Sequence, residues 1–247
     1  MALWKKNISF ILVDPKEAGN IGASARAIKN MGFSRLELVR PSKYPSLEAT
    51  VFAHGAEDVL EAAPVHKGLK EAIADKSLIV GTSRRKGRKR GLAFPLKEGI
   101  RRILAAAQKN RVAILFGTED KGLSNKEVDE CGFLMGIPSD PQMPSINLAQ
   151  AVMLVAYEAG ARPPRKGVMN PPAGKKTQPF INKDEMDFLF TRIKHSLELL
   201  GYHGDTEASL MRSLKHLVGR AGLTEWELKL LHGVCSSVGK KAGSDKA

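Results

Sequence analysis

The sequence predicts an α/β fold, a parallel sheet with helices on both faces, followed by a small helical domain. Two observations carry the first part. Apolar runs of strand length recur from Asn7 to Ile137, and they alternate with polar turns and segments of helical spacing. A third observation carries the second part: beyond Gly160 the strand-like runs stop, a proline- and lysine-rich stretch intervenes, and only helical spacing follows. Residues 1–162, a basic linker over 163–181 and residues 182–247 are the units this predicts.

Taken in order, Asn7 to Val13 (NISFILV) is apolar and β-branched enough for a buried strand, and Asp14 to Gly19 is a polar turn. A helix follows from Asn20 to near Met31. Gly19 and Gly22 permit close backbone approach, and Arg26 projects from a helix whose N-terminus favours anions. Spacing alone leaves Arg26 either an anion contact or a solvated arginine. Arg35 to Val39 is a second strand, ending at Arg40-Pro41. Leu47 to Ala63 reads as one helix with a lone, structural or solvated His54, and Leu69 to Ala74 continues the helical pattern. Ser77 to Val80 is a third strand, leading into Gly81-Thr82-Ser83.

Arg84, Arg85, Lys86, Arg88, Lys89 and Arg90 come next, six cations in seven positions spaced by glycine. Such a run cannot form a core and reads as a flexible loop. It is either solvated or in contact with phosphate. Its place after a strand C-terminus favours the second reading, because open α/β sheets hold their ligands at that edge. Pro95 to Gln108 is then a helix.

Two strand ends and one helix start converge in the stretch from Arg111 to Gly160. Val112 to Phe116 is a buried strand that opens at Gly117 into the polar turn Thr118-Glu119-Asp120-Lys121-Gly122. Ser124 and Glu127 form a capping box for a short helix, and Gly132 to Ile137 is a second apolar run that stops at Pro138. The loop Ser139 to Ile146 is stiffened by Pro141 and Pro144. Asn147 opens a helix with Ala151, Leu154, Val155 and Glu158 at helical spacing. A polar pocket formed by Thr82, Ser83, Gly117, Ile137 and Ser145 to Leu148, with a cationic surround, is the expected site.

Past the linker, Lys183 to Leu200 carries Met186, Leu189, Phe190, Ile193 and Leu197 at helical spacing. Thr206 to Val218 repeats the pattern, and Thr224 with Glu227 caps a third helix bearing Leu228, Leu231, Val234 and Cys235. Their apolar stripes make a core, while Lys194, Arg212, Lys215, Arg220, Lys229, Lys240 and Lys241 face either RNA or water. The last few residues read as disordered.

Composition narrows the function. The 247 residues are 43% hydrophobic, enough for an ordinary core, and 39 Lys and Arg against 26 Asp and Glu give a charge of +13. That surplus favours a polyanion, a nucleic acid or an anionic membrane. No apolar stretch has membrane-spanning length, and Ile8 to Val13 is short and ends at Asp14, so membrane and export readings fall away. Cys131 and Cys235 make no zinc or redox spacing, which implies a reduced cytoplasmic setting and no metal. The chain has no G-x-G-x-x-G after its first strand, no P-loop and no G-x-S-x-G elbow, so dinucleotide, NTPase and hydrolase chemistry lack their motifs.

The residues Phe116-Gly117-Thr118-Glu119, Gly122-Leu123, Ile137-Pro138, Ser145-Ile146-Asn147-Leu148-Ala149 and Tyr157-Glu158, with Gly19-Asn20-Ile21-Gly22-Ala23-Ser24-Ala25-Arg26-Ala27 upstream, give the chain a family resemblance. Over residues 7 to 160 it resembles the SPOUT class of RNA methyltransferases, and within it the TrmH/TrmJ-type ribose 2′-O-methyltransferases. It departs in two places: Thr118 stands where proline or arginine is more usual, and Pro144-Ser145-Ile146-Asn147 replaces the commoner Ser-Ser-Leu-Asn.

The resemblance implies a trefoil-knotted C-terminal part of the sheet domain, a homodimer with sites near the subunit interface, and S-adenosyl-L-methionine as cofactor. It implies cofactor contacts at Thr82, Ser83, Gly117, Ile137, Ser145, Ile146, Asn147 and Leu148. It also implies Arg26 as the catalytically important arginine, with Asn20, Glu119 and Ser145 as the polar groups that orient the reaction. The expected reaction is 2′-O-methylation of a ribose in RNA, at cytidine or uridine 32 of tRNA. Ribosomal RNA is the sibling alternative, and a catalytically inactive RNA-binding protein is the alternative from another class. The helices of 182–247 and the basic loop would contact the RNA.

Overall fold

The computed structural model describes residues 3–84, 91–161 and 179–244. Strands β1 (Ile8–Val13), β2 (Leu36–Val39), β3 (Val65–His66), β4 (Leu78–Thr82), β5 (Ala93–Pro95), β6 (Val112–Phe116) and β7 (Phe133–Gly136) form one sheet. Its order is β3-β2-β1-β6-β4-β7-β5, and each neighbouring pair is parallel. The C-terminal ends of all seven strands therefore share one edge.

The strand sequences explain why both faces are covered. In β1 the side chains of Ile8, Phe10 and Leu12 enter one apolar cluster while Ile11 and Val13 enter another, the two-residue period of a pleated strand. The first face is covered by α1 (Ala18–Asn30), α2 (Leu47–Ala53), α3 (Glu57–Glu61), α5 (Leu96–Ala106) and α7 (Leu148–Gly160). The second is covered by α4 (Leu69–Ile73) and α6 (Asn125–Val128). Each large side chain removed from water this way contributes roughly 1.5–3 kcal/mol. The second face also buries Glu37, neutralised by Lys76 at 2.9 Å and hydrogen-bonded to His66 at 2.9 Å, so the charge enters the interior with its partners.

Three features differ from the sequence expectation. The helix expected over Leu47 to Ala63 is two helices, because the chain breaks at His54-Gly55, where Gly55 adopts a φ of 78° that glycine accepts readily. The Gly55 N–H is taken by Glu57 Oε1 at 2.8 Å, in the first turn of α3. Strands β3 and β5 were not expected; they span only two and three residues, at the two sheet edges. Phe180 and Ile181, expected in the linker, are part of the helical unit: Ile181 is buried in its core and its N–H bonds Leu223 O at 2.7 Å. The rest of the linker over 163–178 and the C-terminal 245–247 lie outside the described residues.

Helices α8 (Lys183–Leu199), α9 (Gly204–Ala221) and α10 (Glu225–Ser244) pack around Met186, Phe190, Met211 and Val218. They dock at the N-terminal edge of the sheet. Phe180 N–H bonds Asn110 Oδ1 at 2.7 Å, Asp184 N–H bonds Ala74 O at 3.2 Å, and the buried Lys183 ammonium lies 2.8 Å from Glu130 and 2.7 Å from Asp187. Burial lowers the Lys183 pKa, but Glu130 and Asp187 outweigh it and the net shift is upward, so the ammonium stays charged. α9 also meets the sheet backbone to backbone, since a Cβ on Gly132 would sit 2.1 Å from Gly219 O.

The same close approach joins α1 to α2, where a Cβ on Gly22 would stand 2.0 Å from Ala49 O and 2.9 Å from Ala53 N. Both obstacles are backbone, so neither can turn aside. Gly22→Ala should push the helices apart and destabilise the fold by about 2–3 kcal/mol, read as a lower urea midpoint at unchanged slope.

Candidate active site

The central order β6-β4-β7 sets the C-terminal ends of three adjacent strands side by side, and a cleft opens there. Thr82, Ser83 and Arg84 come from the end of β4. Phe116 to Leu123 come from the end of β6, and Ile137 follows β7. Pro144, Ser145, Ile146, Leu148 and Ala151 close it from the start of α7. It encloses about 780 Å³ with the open solvent of its mouth included.

Its wall after β6 is a closed turn. A Cβ on Gly117 would lie 2.1 Å from the Gly122 carbonyl carbon, so the chain returns onto Gly117 at contact distance. Gly122 turns with a φ of 63°, its N–H bonds Thr118 O at 2.8 Å, and Thr118 Oγ1 accepts the Lys121 N–H at 3.2 Å. Thr118, the residue that departs from the commoner family pattern, thus knots the turn with its own hydroxyl. Thr82 Oγ1 donates to Leu115 O at 2.9 Å, which ties the end of β4 to β6.

Glu119 joins this turn to the rest of the site. Its carboxylate accepts the backbone N–H of Lys16 at 3.0 Å and of Glu17 at 3.1 Å, and the Asn20 amide at 3.0 Å. The Asn20 oxygen in turn accepts the Asn147 amide at 2.9 Å, and the Asn147 oxygen caps α7 by accepting Ala149 and Gln150 N–H at 2.9 and 3.3 Å. Burial raises the Glu119 pKa, but the bonds from Asn20, Lys16 and Glu17 outweigh it and hold the carboxyl below its ordinary range. Beside it, Asp120 pairs with Lys16 at 2.9 Å, which holds Asp120 far below the ordinary carboxylate range and raises the Lys16 pKa.

The structure thus brings most of the expected site together. Thr82, Ser83, Gly117, Glu119, Ile137, Ser145, Ile146 and Leu148 line the cleft, and Asn20 and Asn147 lie behind Glu119 in its hydrogen-bond chain. Arg26 is not among the lining residues. It is exposed on α1 and makes no ion pair or hydrogen bond among the described residues. Arg84 stands at the rim, while Arg85, Lys86, Arg88, Lys89 and Arg90 lie outside the described residues. Sequence reasoning did not assign Asp120 and Lys121 to the cleft; their signal was the Gly117 to Gly122 spacing, which a closed turn requires. Among the described residues no group of three or more His, Cys, Asp or Glu could hold a metal.

Comparison with known proteins agrees with this geometry. Residues 7–157 match the SpoU rRNA methylase family. The chain is 34% identical over 247 residues to the tRNA (cytidine/uridine/adenosine-2′-O-)-methyltransferase TrmJ of Pseudomonas aeruginosa (strain UCBPP-PA14), covering 95% of both chains. It superposes on the crystal structure of TrmJ from Z. mobilis ZM4 with a TM-score of 0.77 at 30% identity, covering 93% of this chain and 98% of that one. An AdoMet-bound rRNA methyltransferase from Sinorhizobium meliloti shares the fold at a TM-score of 0.50 and 22% identity, over 62% of this chain and 55% of that one.

A carboxylate with a depressed pKa contributes stability that is full above the ordinary glutamate value and is lost as pH falls through the folded-state value. Glu119→Gln replaces an oxygen by an amine that faces N–H groups, so it should cost about 1–2 kcal/mol at pH 7. In urea titrations that difference should shrink as pH falls below the ordinary glutamate range and disappear once the folded-state carboxyl protonates.

Proposed function

We propose that this chain, which belongs to the SpoU rRNA methylase family, transfers a methyl group from S-adenosylmethionine to a ribose 2′-hydroxyl of tRNA. The observation that carries the proposal is the convergence of Glu119, Ser145 and the Asn20–Asn147 pair at one cleft on a chain that matches a TrmJ relative over 95% of both lengths. The pyrimidine at position 32 is the expected target, and a tRNA substrate implies a cytoplasmic location. The family name keeps ribosomal RNA as the second reading.

The cleft fits the cofactor chemically. Backbone groups at Gly117 and Ile137 with the hydroxyls of Thr82 and Ser83 can hold its polar edges, Phe116, Leu148 and Ala151 offer apolar surface, and the Glu119 and Asp120 carboxylates suit a cationic ligand. When bound, it supplies an electrophilic methyl group on a sulfonium. The protein's part is alignment and charge stabilisation. Ser145, Ile146 and Leu148 would hold the cofactor, with Asn147 fixing their turn by capping α7. Glu119 holds Asn20 and, through it, Asn147. Arg26 stabilises the developing alkoxide or the adjoining phosphate rather than serving as a base.

Arg26 acts in the cleft of a second copy. Its exposed, unpaired guanidinium on α1 supports that reading, as do the exposed Leu154 and Tyr157 on α7, which packs beside α1. The knotted cradle is supported by the strand order β6-β4-β7 with the 138–147 segment returning to α7. Arg84 at the rim, the basic loop that follows it and the cations of α8, α9 and α10 are assigned to RNA.

Labelled methyl transfer to unmodified tRNA and to ribosomal RNA, followed by nucleoside mass spectrometry, tests the reaction. A 2′-O-methylated nucleoside from the anticodon loop is expected; label confined to ribosomal RNA would replace the substrate, and none in either would remove the enzyme reading. Arg26→Ala should abolish turnover while calorimetry still registers the cofactor. If the arginine works across a dimer, mixing Arg26→Ala subunits with Gly117→Val subunits should restore about a quarter of wild-type activity, since half the random pairs carry one complete site. No restoration would place Arg26 in its own subunit's site.

A further inference from the structure

Strands β1 and β2 end in the same unusual way. The residue after each, Asp14 after Val13 and Arg40 after Val39, has a left-handed backbone, with φ of 51° and 48°. Aspartate visits that region occasionally, but arginine does so only where its surroundings hold it there. The two residues hold each other. Arg40 Nε donates to Asp14 Oδ1 at 2.7 Å and Arg40 Nη2 to Asp14 Oδ2 at 2.8 Å, a fork in which both contacts are charge-assisted.

The turns have a consequence for the chain that follows. Asp14 N–H still bonds Val39 O at 2.9 Å and Arg40 N–H bonds His66 O at 3.1 Å, so each strand completes its ladder before it bends. Beyond the bend, Pro15 is buried and its carbonyl accepts Ser42 N–H at 3.1 Å, and the next two amides are those that bind Glu119. Arg40 Nη2 also lies 3.7 Å from Glu127 Oε1, while Glu127 Oε2 accepts the Ser124 N–H at 2.7 Å in the capping box of α6. One guanidinium therefore reaches both sides of the 117–127 connection: directly at Glu127, and through the 15–17 segment at Glu119.

We propose that the Asp14–Arg40 fork is a positioning device for methyl transfer, bracing the Pro15–Glu17 backbone so that its amides hold Glu119 and, behind it, Asn20. This rests on the function proposed above. The side chains are 36% and 42% exposed, and an exposed pair of that kind contributes little to global stability, so its effect belongs to the alignment of the segment it braces.

The test uses the full chain and two variants that spare the fold. Asp14→Gly keeps the left-handed backbone and removes the pair; Arg40→Lys keeps the charge and removes the fork. In both, Lys16 and Glu17 amides should exchange with solvent about tenfold faster while Leu38 in β2 keeps its protection. At saturating S-adenosylmethionine and unmodified tRNA, kcat should fall about tenfold with the cofactor Kd within about twofold of wild type. Unchanged Lys16 and Glu17 exchange in both variants would overturn the brace. Faster exchange with wild-type kcat would overturn its role in the reaction. A wild-type chain that methylates no RNA would overturn the functional reading alone, and the exchange measurement would then decide the brace by itself.

Discussion

The carboxylate of Glu119 is the constraint on which the site depends. The first turn of α1 has no side-chain cap of its own: Glu17 occupies the capping position without capping. The amides of Lys16 and Glu17 at that end are satisfied by a residue about a hundred positions later in the chain. These bonds tie the start of helix α1 to the turn after β6, two segments that sequence places far apart. Because the same carboxylate also takes the Asn20 amide, the start of α7 is set through Asn147 in one continuous chain. The interaction that completes the fold is thus the interaction that shapes the cleft.

Sheet topology explains why this can happen at a single place. A parallel sheet puts every strand's C-terminal loop on one edge, and the insertion of β6 between β1 and β4 brings the loop after β1 beside the loop after β6. Strand β4, between β6 and β7, then supplies Thr82 and Ser83 as the floor. The helical unit occupies the opposite edge, where Asn110, Lys183 and the Gly132–Gly219 contact fix it without intruding on the cleft.

What could be read in the sequence follows the same physics. Strands β1, β2, β4, β6 and β7 were legible because burial on both faces leaves a largely apolar run, and the box at Ser124 was legible because capping is local. Strands β3 and β5 were not, since two or three residues at a sheet edge are specified by their neighbour and not by their own pattern. The break at His54-Gly55 carried a signal, the glycine, that the surrounding helix formers masked. The cleft residues Thr82, Gly117, Ile137 and Ser145 came from strand ends and turn chemistry. The left-handed backbone at Asp14 and Arg40 had no sequence signature at all: a dihedral imposed by tertiary pairing shows only in three dimensions.

Charge gives the site its final division of labour. The chain carries +13, yet the turn that lines the cleft presents Glu119 and Asp120 inward while Arg84 and Lys121 stand with them around the opening. A cationic methyl donor and a polyanionic substrate are drawn to different parts of such a surface, the first by the carboxylates and the second by the cations, so neither competes for the other's place. The reaction still requires a cation at the point where the ribose oxygen gains negative charge. Within one subunit the carboxylates of the turn already engage backbone amides, Asn20 and Lys16, and Arg26 is exposed on α1, outside the cleft lining. In the dimer proposed above, a guanidinium supplied by the second subunit would be kept from pairing with Glu119 before substrate arrives. On the dimer reading proposed above, the catalytic unit is the pair of chains, each lending the other the Arg26 guanidinium that its own cleft lining does not include.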